Sequence, residues 1–310
     1  MKRKNQRPYG WIIVGVSFVT LALVYGVWYA FSVFFVALLK EFGWSRSVGA
    51  GAFSICGIIS HFISPMVGGM VTSIGPKKVI ISGSLILGGG LALCSLMQTS
   101  WQFYLFFSLI AGVGIGAAGW VPNVMMIQDW FREKRGLATG IISAGIGVGI
   151  LVCVPSVQYL ILQLGWRTAY QVLAILIPVI VISLAVAFLK GPPKAGESKL
   201  AEISLPRPLD KDPLVVNEEW VSRSWSVRLA LHTKQFWFIG ISFFLGNLIV
   251  QSVFAHQVAF FVDHGMEALP ASYVVGLIGI MSVGGKILWG GLSDKIGRET
   301  VYTLGLLPAS

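Results

Sequence analysis

A single lysine, Lys286, interrupts an apolar run between residues 270 and 289, while the other 22 of the 23 Lys and Arg residues and all 13 acidic residues lie at run edges or between runs. A charge in hydrocarbon costs about 2.5–3.5 kcal/mol on insertion scales, so it normally faces a protein interior or a water-filled cavity. The chemistry such a lone cation can do is to hold an anion. Snorkelling to the nearby membrane surface is the bland alternative. Side chains on a helix lean toward their own N-terminus, however, which carries this ammonium toward mid-membrane. Ser282 lies one turn earlier on the same face, where its hydroxyl could share a ligand or bond its own helix backbone.

Other polar groups sit in apolar runs at helical spacing. Tyr25 and Tyr29 are one turn apart beside Trp28, and buried phenol hydroxyls need partners. Trp120 and Asn123 flank Pro122, and an amide is costly in lipid, so Asn123 should face inward. Asn247 and Gln251 form an i, i+4 amide pair that could bond a neighbouring helix or a ligand. His61 and His256 read as structural histidines. Cys56, Cys94 and Cys153 have the spacing of neither a disulfide framework nor a metal site. No run contains Asp or Glu and no histidines cluster, which argues against a membrane enzyme; neither a metal nor a cofactor is expected.

The elements that must position these residues are long apolar helices. The chain is 55% hydrophobic and 12% charged, too apolar for a soluble protein of 310 residues. Eight runs approach or exceed the roughly 20 residues that cross a bilayer: 11–39, 46–70, 78–97, 102–128, 137–161, 169–189, 235–261 and 270–289. A ninth begins near Val301. The first run is too long for a signal-peptide core and lacks a small-residue cleavage site. With the N-terminus in the cytoplasm, 19 of the 23 Lys and Arg residues fall on that side, and only Lys40, Arg46 and Arg167 fall outside. The net charge of +10 therefore reports topology and not a nucleic-acid partner. Residues 191–233, opening with Pro192-Pro193, read as a cytoplasmic linker between an N-terminal bundle (1–190) and a second, shorter one (234–310). Around Trp220, Trp225 and Leu229 the linker has the composition of an interfacial helix.

The two bundles share a repeat. Gly68–Gly75 reads GGMVTSIG and Gly290–Gly297 reads GGLSDKIG, an offset of 222 residues, and the same offset maps Glu41-x-Gly43 onto Asp263-x-Gly265. Parallel repeats of six helices, with substrate held near mid-membrane between halves, are a transporter architecture. Glycines crowd the fourth and fifth runs (Gly112, Gly114, Gly116, Gly119; Gly140, Gly145, Gly147, Gly149), as helices that approach closely require.

Gly290-x-Leu292-x-Asp294-Lys295-x-Gly297-Arg298 resembles the signature loop of the major facilitator superfamily, G-x-L-x-D-R-x-G-R-[KR]. Gly68, Gly75 and Lys77 belong to a first copy that departs from it, with Thr72 and Ser73 in place of Asp and Arg. Tyr9-Gly10-Trp11, Glu41–Arg46 (EFGWSR), Trp130–Ala138 (WFREKRGLA) and Gly165-Trp166-Arg167 are similar to the monocarboxylate and oxalate/formate exchanger branch. Ile110 replaces the fourth-span Arg of proton-driven drug exporters.

The resemblance implies an all-α bundle of the major facilitator type that carries small organic anions by alternating access. The implied setting is a bacterial-type inner (plasma) membrane, crossed many times. It puts Lys286 where the branch has a carboxylate-binding Arg, places a pocket Asn in the fourth span at Asn123, and gives Asp294 and Arg298 a part in closing the cytoplasmic side. A lysine is a point charge with fewer geometric demands than the bidentate guanidinium, so selectivity among small acids should be looser. One cation suits a monocarboxylate such as lactate, pyruvate or formate. Anion exchange, downhill transport and proton symport are all compatible with it. Twelve spans are expected of the family, and this sequence stops inside the ninth. The competing readings are a truncated, non-transporting fragment and a carrier of an unrelated solute.

Overall fold

A computed structural model describes residues 7–131, 134–189, 218–297, 300, 301 and 304, and among these every regular element is helical. Arg298, Arg132 and the linker from 191 to 217 lie outside the described residues. The helices are α1 (Arg7–Phe42), α2 (Arg46–Phe62), α3 (Ser64–Ile74), α4 (Pro76–Cys94), α5 (Ser100–Phe103), the wide-turned π1 (Tyr104–Ala111), α6 (Gly112–Ala118) and α7 (Trp120–Trp130). They continue with α8 (Arg135–Phe188), α9 (Glu218–Ser222), α10 (Val227–Leu231), α11 (Lys234–Asp263) and α12 (Ala268–Ile296). A helix is what an apolar run must form in lipid, because only within the segment can each peptide group find its partner.

The chain divides into two compact units, residues 1–191 with 254–310, and residues 192–253. In the first, α8 is two spans joined at Gly165, whose φ of +80° folds the chain back. Contacts at both ends show the return: Trp166 and Arg167 bond Glu41 at the end of α1, while Tyr9 at its start bonds the Phe188 carbonyl. The start of α1, where Tyr9 also meets Trp130, marks the basic end; Glu41 and Arg46 mark the far end. Phe34 stacked on Tyr170 at 3.8 Å, with Phe31, Phe103 and Phe107 beside them, forms the aromatic core at the far end of α1.

Two expected straight spans are bent. Residues 46–70 become α2 and α3, which meet at 41°. Pro65 near the start of α3 removes an N–H that a continuous helix would use. The fourth span passes from α5 through π1 to α6, then breaks at Gly119 (φ −82°, ψ −131°) before α7.

The repeat is visible in the backbone. Gly75 (φ +86°, ψ 153°) and Gly297 (φ +90°, ψ 150°) end α3 and α12 alike, and Gly43 and Gly265 are likewise both positive in φ. Each pair is separated by 222 residues, and at each place an L side chain would be strained.

In the second unit, Trp220 and Trp225 carry α9 toward α10. Their rings are 4.4 Å apart, and the Trp225 Nε1–H donates to the Trp220 carbonyl at 2.9 Å. The α11 residues in this unit, Phe238, Phe244 and Ile249 among them, expose apolar side chains on all sides, as a helix surrounded by lipid or by further helices does.

Candidate functional site

Around Lys286, α8 and α12 run antiparallel with their backbones in contact. A Cβ on Gly140 would lie 2.7 Å from the Lys286 carbonyl, one on Gly147 2.5 Å from the Gly279 carbonyl, and one on Gly276 3.4 Å from Leu151. A Cβ on Gly290 would lie 2.7 Å from the Gly136 carbonyl. From Gly276 to Gly290 this crossing extends about 21 Å along the helix. Glycine at positions 140, 147, 279 and 290 is what permits it, since a side chain there would meet backbone.

Lys286 is half-buried on this helix and has neither an ion pair nor a hydrogen bond among the described residues. Ser282, one turn toward the far end, is half-buried too, and its hydroxyl has no partner among the described residues. The contrast with its neighbours is direct: Ser272 donates to the Leu269 carbonyl at 2.7 Å and Ser293 to the Gly290 carbonyl at 2.8 Å. Residues i and i+4 on a helix have their Cβ atoms about 5–6 Å apart, so one small acid can reach both groups.

At the basic end, Asp294 reaches across to the first turn of α8. Its Oδ1 accepts from the Gly136 N–H and its Oδ2 from the Leu137 N–H, each at 2.8 Å. A carboxylate on two free N–H groups at a helix start is favoured by both hydrogen bonding and the helix dipole. The first-copy counterparts do not act this way. Thr72 and Ser73 bond the carbonyls of Gly69 and Met70 in their own helix, and a Cβ on Gly68 would meet nothing within 4 Å. Lys77 donates to the Val186 carbonyl at 3.2 Å, tying α4 to the end of α8. Among the described residues a groove of about 690 Å³ lies beside Asp294, lined chiefly by the last turns of α12.

The break at Gly119 gathers a second polar group. Asn123 is fully buried and its Nδ2 donates to the carbonyls of Ala118 and Gly119 at 3.0 and 2.7 Å, so the amide caps the end of α6. Its Oδ1 is buried with no partner. The Tyr25 hydroxyl reaches the backbone of Trp120, whose own side chain is 37% exposed. Tyr29 instead packs its ring 4.5 Å from Phe254. Asn247 is exposed and Gln251 half-buried in the second unit. The two make no hydrogen bond to each other, and the Gln251 Oε1 is shielded without a partner.

Ser17 and Thr20, one turn apart in α1 and fully buried with unpartnered hydroxyls, belong with this set. Hydroxyls at i, i+3 in an apolar run are the signal that would have found them. At the far end, Arg46 pairs with Asp263 and Glu41 with Arg167.

Residues 17–310 match the family described as Major Facilitator Superfamily. The chain is 26% identical over 296 residues to Monocarboxylate transporter 13 of Rattus norvegicus, covering 93% of this chain and 62% of that one. It is 24% identical over 289 residues to the Oxalate:formate antiporter of Oxalobacter formigenes, covering 93% and 64%. The chain thus spans less than two thirds of the length of these relatives. The crystal structure of a D-xylose-proton symporter superposes with a TM-score of 0.62 at 18% identity, covering 93% of this chain and 70% of that one, a likeness of fold.

Proposed function

Because the chain belongs to the Major Facilitator Superfamily, we propose that it carries small organic anions across a membrane by alternating access, with Lys286 as the charge that holds a carboxylate. The observation that carries this reading is the pair on α12: an unpaired ammonium inside a membrane span with an unbonded Ser282 hydroxyl one turn away. A cation kept in that setting without a counter-charge is stabilised when an anion arrives, and the anion is stabilised in turn. The names of the relatives, monocarboxylate transporters and an oxalate:formate antiporter, fit the same ligand class. A single point charge and a single hydroxyl match one carboxylate with a small polar neighbour, so we assign a monocarboxylate of the size of formate, pyruvate or lactate.

Alternating access needs one end closed while the other opens. Asp294 on the first turn of α8 supplies a bond that can close the basic end, and Arg46 with Asp263 supplies one for the far end. By the asymmetry of Lys and Arg the basic end is cytoplasmic. The spans of this sequence carry no Asp or Glu, and the site suits anion exchange, downhill transport, or symport with a proton held by Lys286, a histidine or the substrate.

Uptake of labelled formate, pyruvate and lactate into vesicles containing the protein tests the assignment. Saturable uptake is expected, reduced at least tenfold by Lys286→Gln and largely kept by Lys286→Arg, since a charge-assisted contact is worth about 1.5–3 kcal/mol. Ser282→Ala should raise KM about tenfold for the same reason and leave the maximal rate nearly unchanged. Uptake that ignores the charge at position 286 would overturn the reading.

A further inference from the structure

We propose that Ser143 of α8 is a specificity-determining residue of the anion site, selecting acids with a hydroxyl beside the carboxylate over acids with a keto group there. The inference rests on the carboxylate site assigned to Lys286 and Ser282 and adds a third partner from the facing helix.

The glycine crossing sets the level. A Cβ on Gly140 would lie 2.7 Å from the Lys286 carbonyl, and one on Gly147 2.9 Å from the Val283 side chain. Ser143 stands between Gly140 and Gly147, level with the turn from Ser282 to Lys286.

The crossing also sets the side. Successive residues of a helix turn by about 100°, so Ser143 lies about 40° from the stripe of Gly136, Gly140 and Gly147, and Thr139 about 80° from it in the same sense. Lys286 and Ser282 lie about 40° and about 80° from the stripe of Gly279, Val283 and Gly290, again in that sense. Leu137 and Asp294 are displaced from the two stripes in the opposite sense, and the Leu137 N–H donates to the Asp294 carboxylate at 2.8 Å. Displacements of one sense therefore share one side of this antiparallel crossing, and the four polar residues stand together on the other. All four are half-buried. α1 touches α8 at Gly145 and Gly149, on the face turned away from α12, and so does not cover them.

The two serine hydroxyls offer different things. Ser143 donates its proton to the Gly140 carbonyl at 2.9 Å, which leaves its oxygen as an acceptor. Ser282 has no partner among the described residues and can donate to a carboxylate. A 2-hydroxy acid with its carboxylate on Lys286 and Ser282 has a donor to give to Ser143. A 2-oxo acid in the same place sets a carbonyl oxygen against the serine oxygen, and neither finds a proton. A site that accepts a bond from a substrate hydroxyl discriminates against the analogue that lacks it. Formate has no second group to place, so Ser143 is indifferent to it.

Uptake of lactate and pyruvate, with formate as reference, into vesicles containing the full-length protein tests this. The ratio of maximal rate to KM should be about fivefold higher for lactate than for pyruvate, the worth of one hydrogen bond. Ser143→Ala should bring the two acids to parity and leave formate uptake unchanged, while Ser143→Thr, which keeps the oxygen, should keep the preference. Ser82→Ala in α4, whose hydroxyl bonds the Val79 carbonyl in the same way, should change nothing. A preference that survives Ser143→Ala would overturn the proposal, and so would equal uptake of lactate and pyruvate by the unaltered protein. Uptake of all three acids that ignores Lys286→Gln sinks the carboxylate site and this selection with it, whereas uptake that needs the charge but not Ser143 sinks the selection alone.

Discussion

Glu41 and Asp263 stand 222 residues apart, each two residues before a glycine of positive φ, and yet they take different partners: Glu41 bonds Trp166 and Arg167, whereas Asp263 bonds Arg46. The first pair ties α1 to α8 within the N-terminal run of helices. The second ties the start of α2 to the end of α11. One repeated position thus serves packing in its first copy and a link between repeats in its second.

The Arg46–Asp263 pair is half-exposed on both sides, so it should contribute only about 0.2–1 kcal/mol, small enough to break in each turn of the proposed cycle. Replacing both residues by cysteine should give a protein whose uptake stops on oxidation and returns on reduction. Transport that continues with the disulfide formed would show that these ends do not separate.

Asp294→Ala removes both acceptors from the first turn of α8 and should destabilise that end by about 1–2 kcal/mol, as loss of a helix cap does. Asp294→Asn keeps one acceptor and should fall between. Amide hydrogen exchange at Gly136 and Leu137 reads the effect directly: faster exchange in Asp294→Ala, with protection unchanged elsewhere in α8, is the expected pattern.

Gly140→Ala places a methyl group against the Lys286 carbonyl and should cost about 1–3 kcal/mol by overpacking. Gly89→Ala is the control, because nothing lies within 4 Å of its Cβ position and alanine gains up to about 1 kcal/mol in a helix. Thermal unfolding in detergent should shift in opposite directions for the two. A matching shift would mean that the backbones do not touch at Gly140.

Asn123→Leu takes two N–H donors from the carbonyls of Ala118 and Gly119, and each buried acceptor left unbonded costs about 1–3 kcal/mol. Lowered stability is therefore expected even without substrate. If Asn123→Leu raises KM while leaving the unfolding temperature unchanged, the amide belongs to the ligand and not to the helix break.

The spans were legible because an apolar run in lipid has one solution, and the repeat because glycines of positive φ cannot be replaced without strain. Pro65 gave a readable sign of the bend between α2 and α3. The wide turn from Tyr104 to Ala111 had no such sign, since one added residue per turn leaves composition untouched, whereas Gly119 with Pro122 three residues on marks the break before α7. Asn123 stood out because an amide in lipid demands partners; its Nδ2 finds them in carbonyls of its own span, and its Oδ1 has none among the described residues. Asp294 was legible through the resemblance of its loop, but its acceptor bonds run to Gly136 and Leu137, more than 150 residues away, which only the folded chain brings near.

The glycine crossing of α8 and α12 has a consequence for leakage. Where peptide groups of two helices touch and no side chains intervene, there is no room for a file of water molecules, and without such a file protons have no wire to follow. Between α8 and α12 the seam is therefore an insulator as well as a contact.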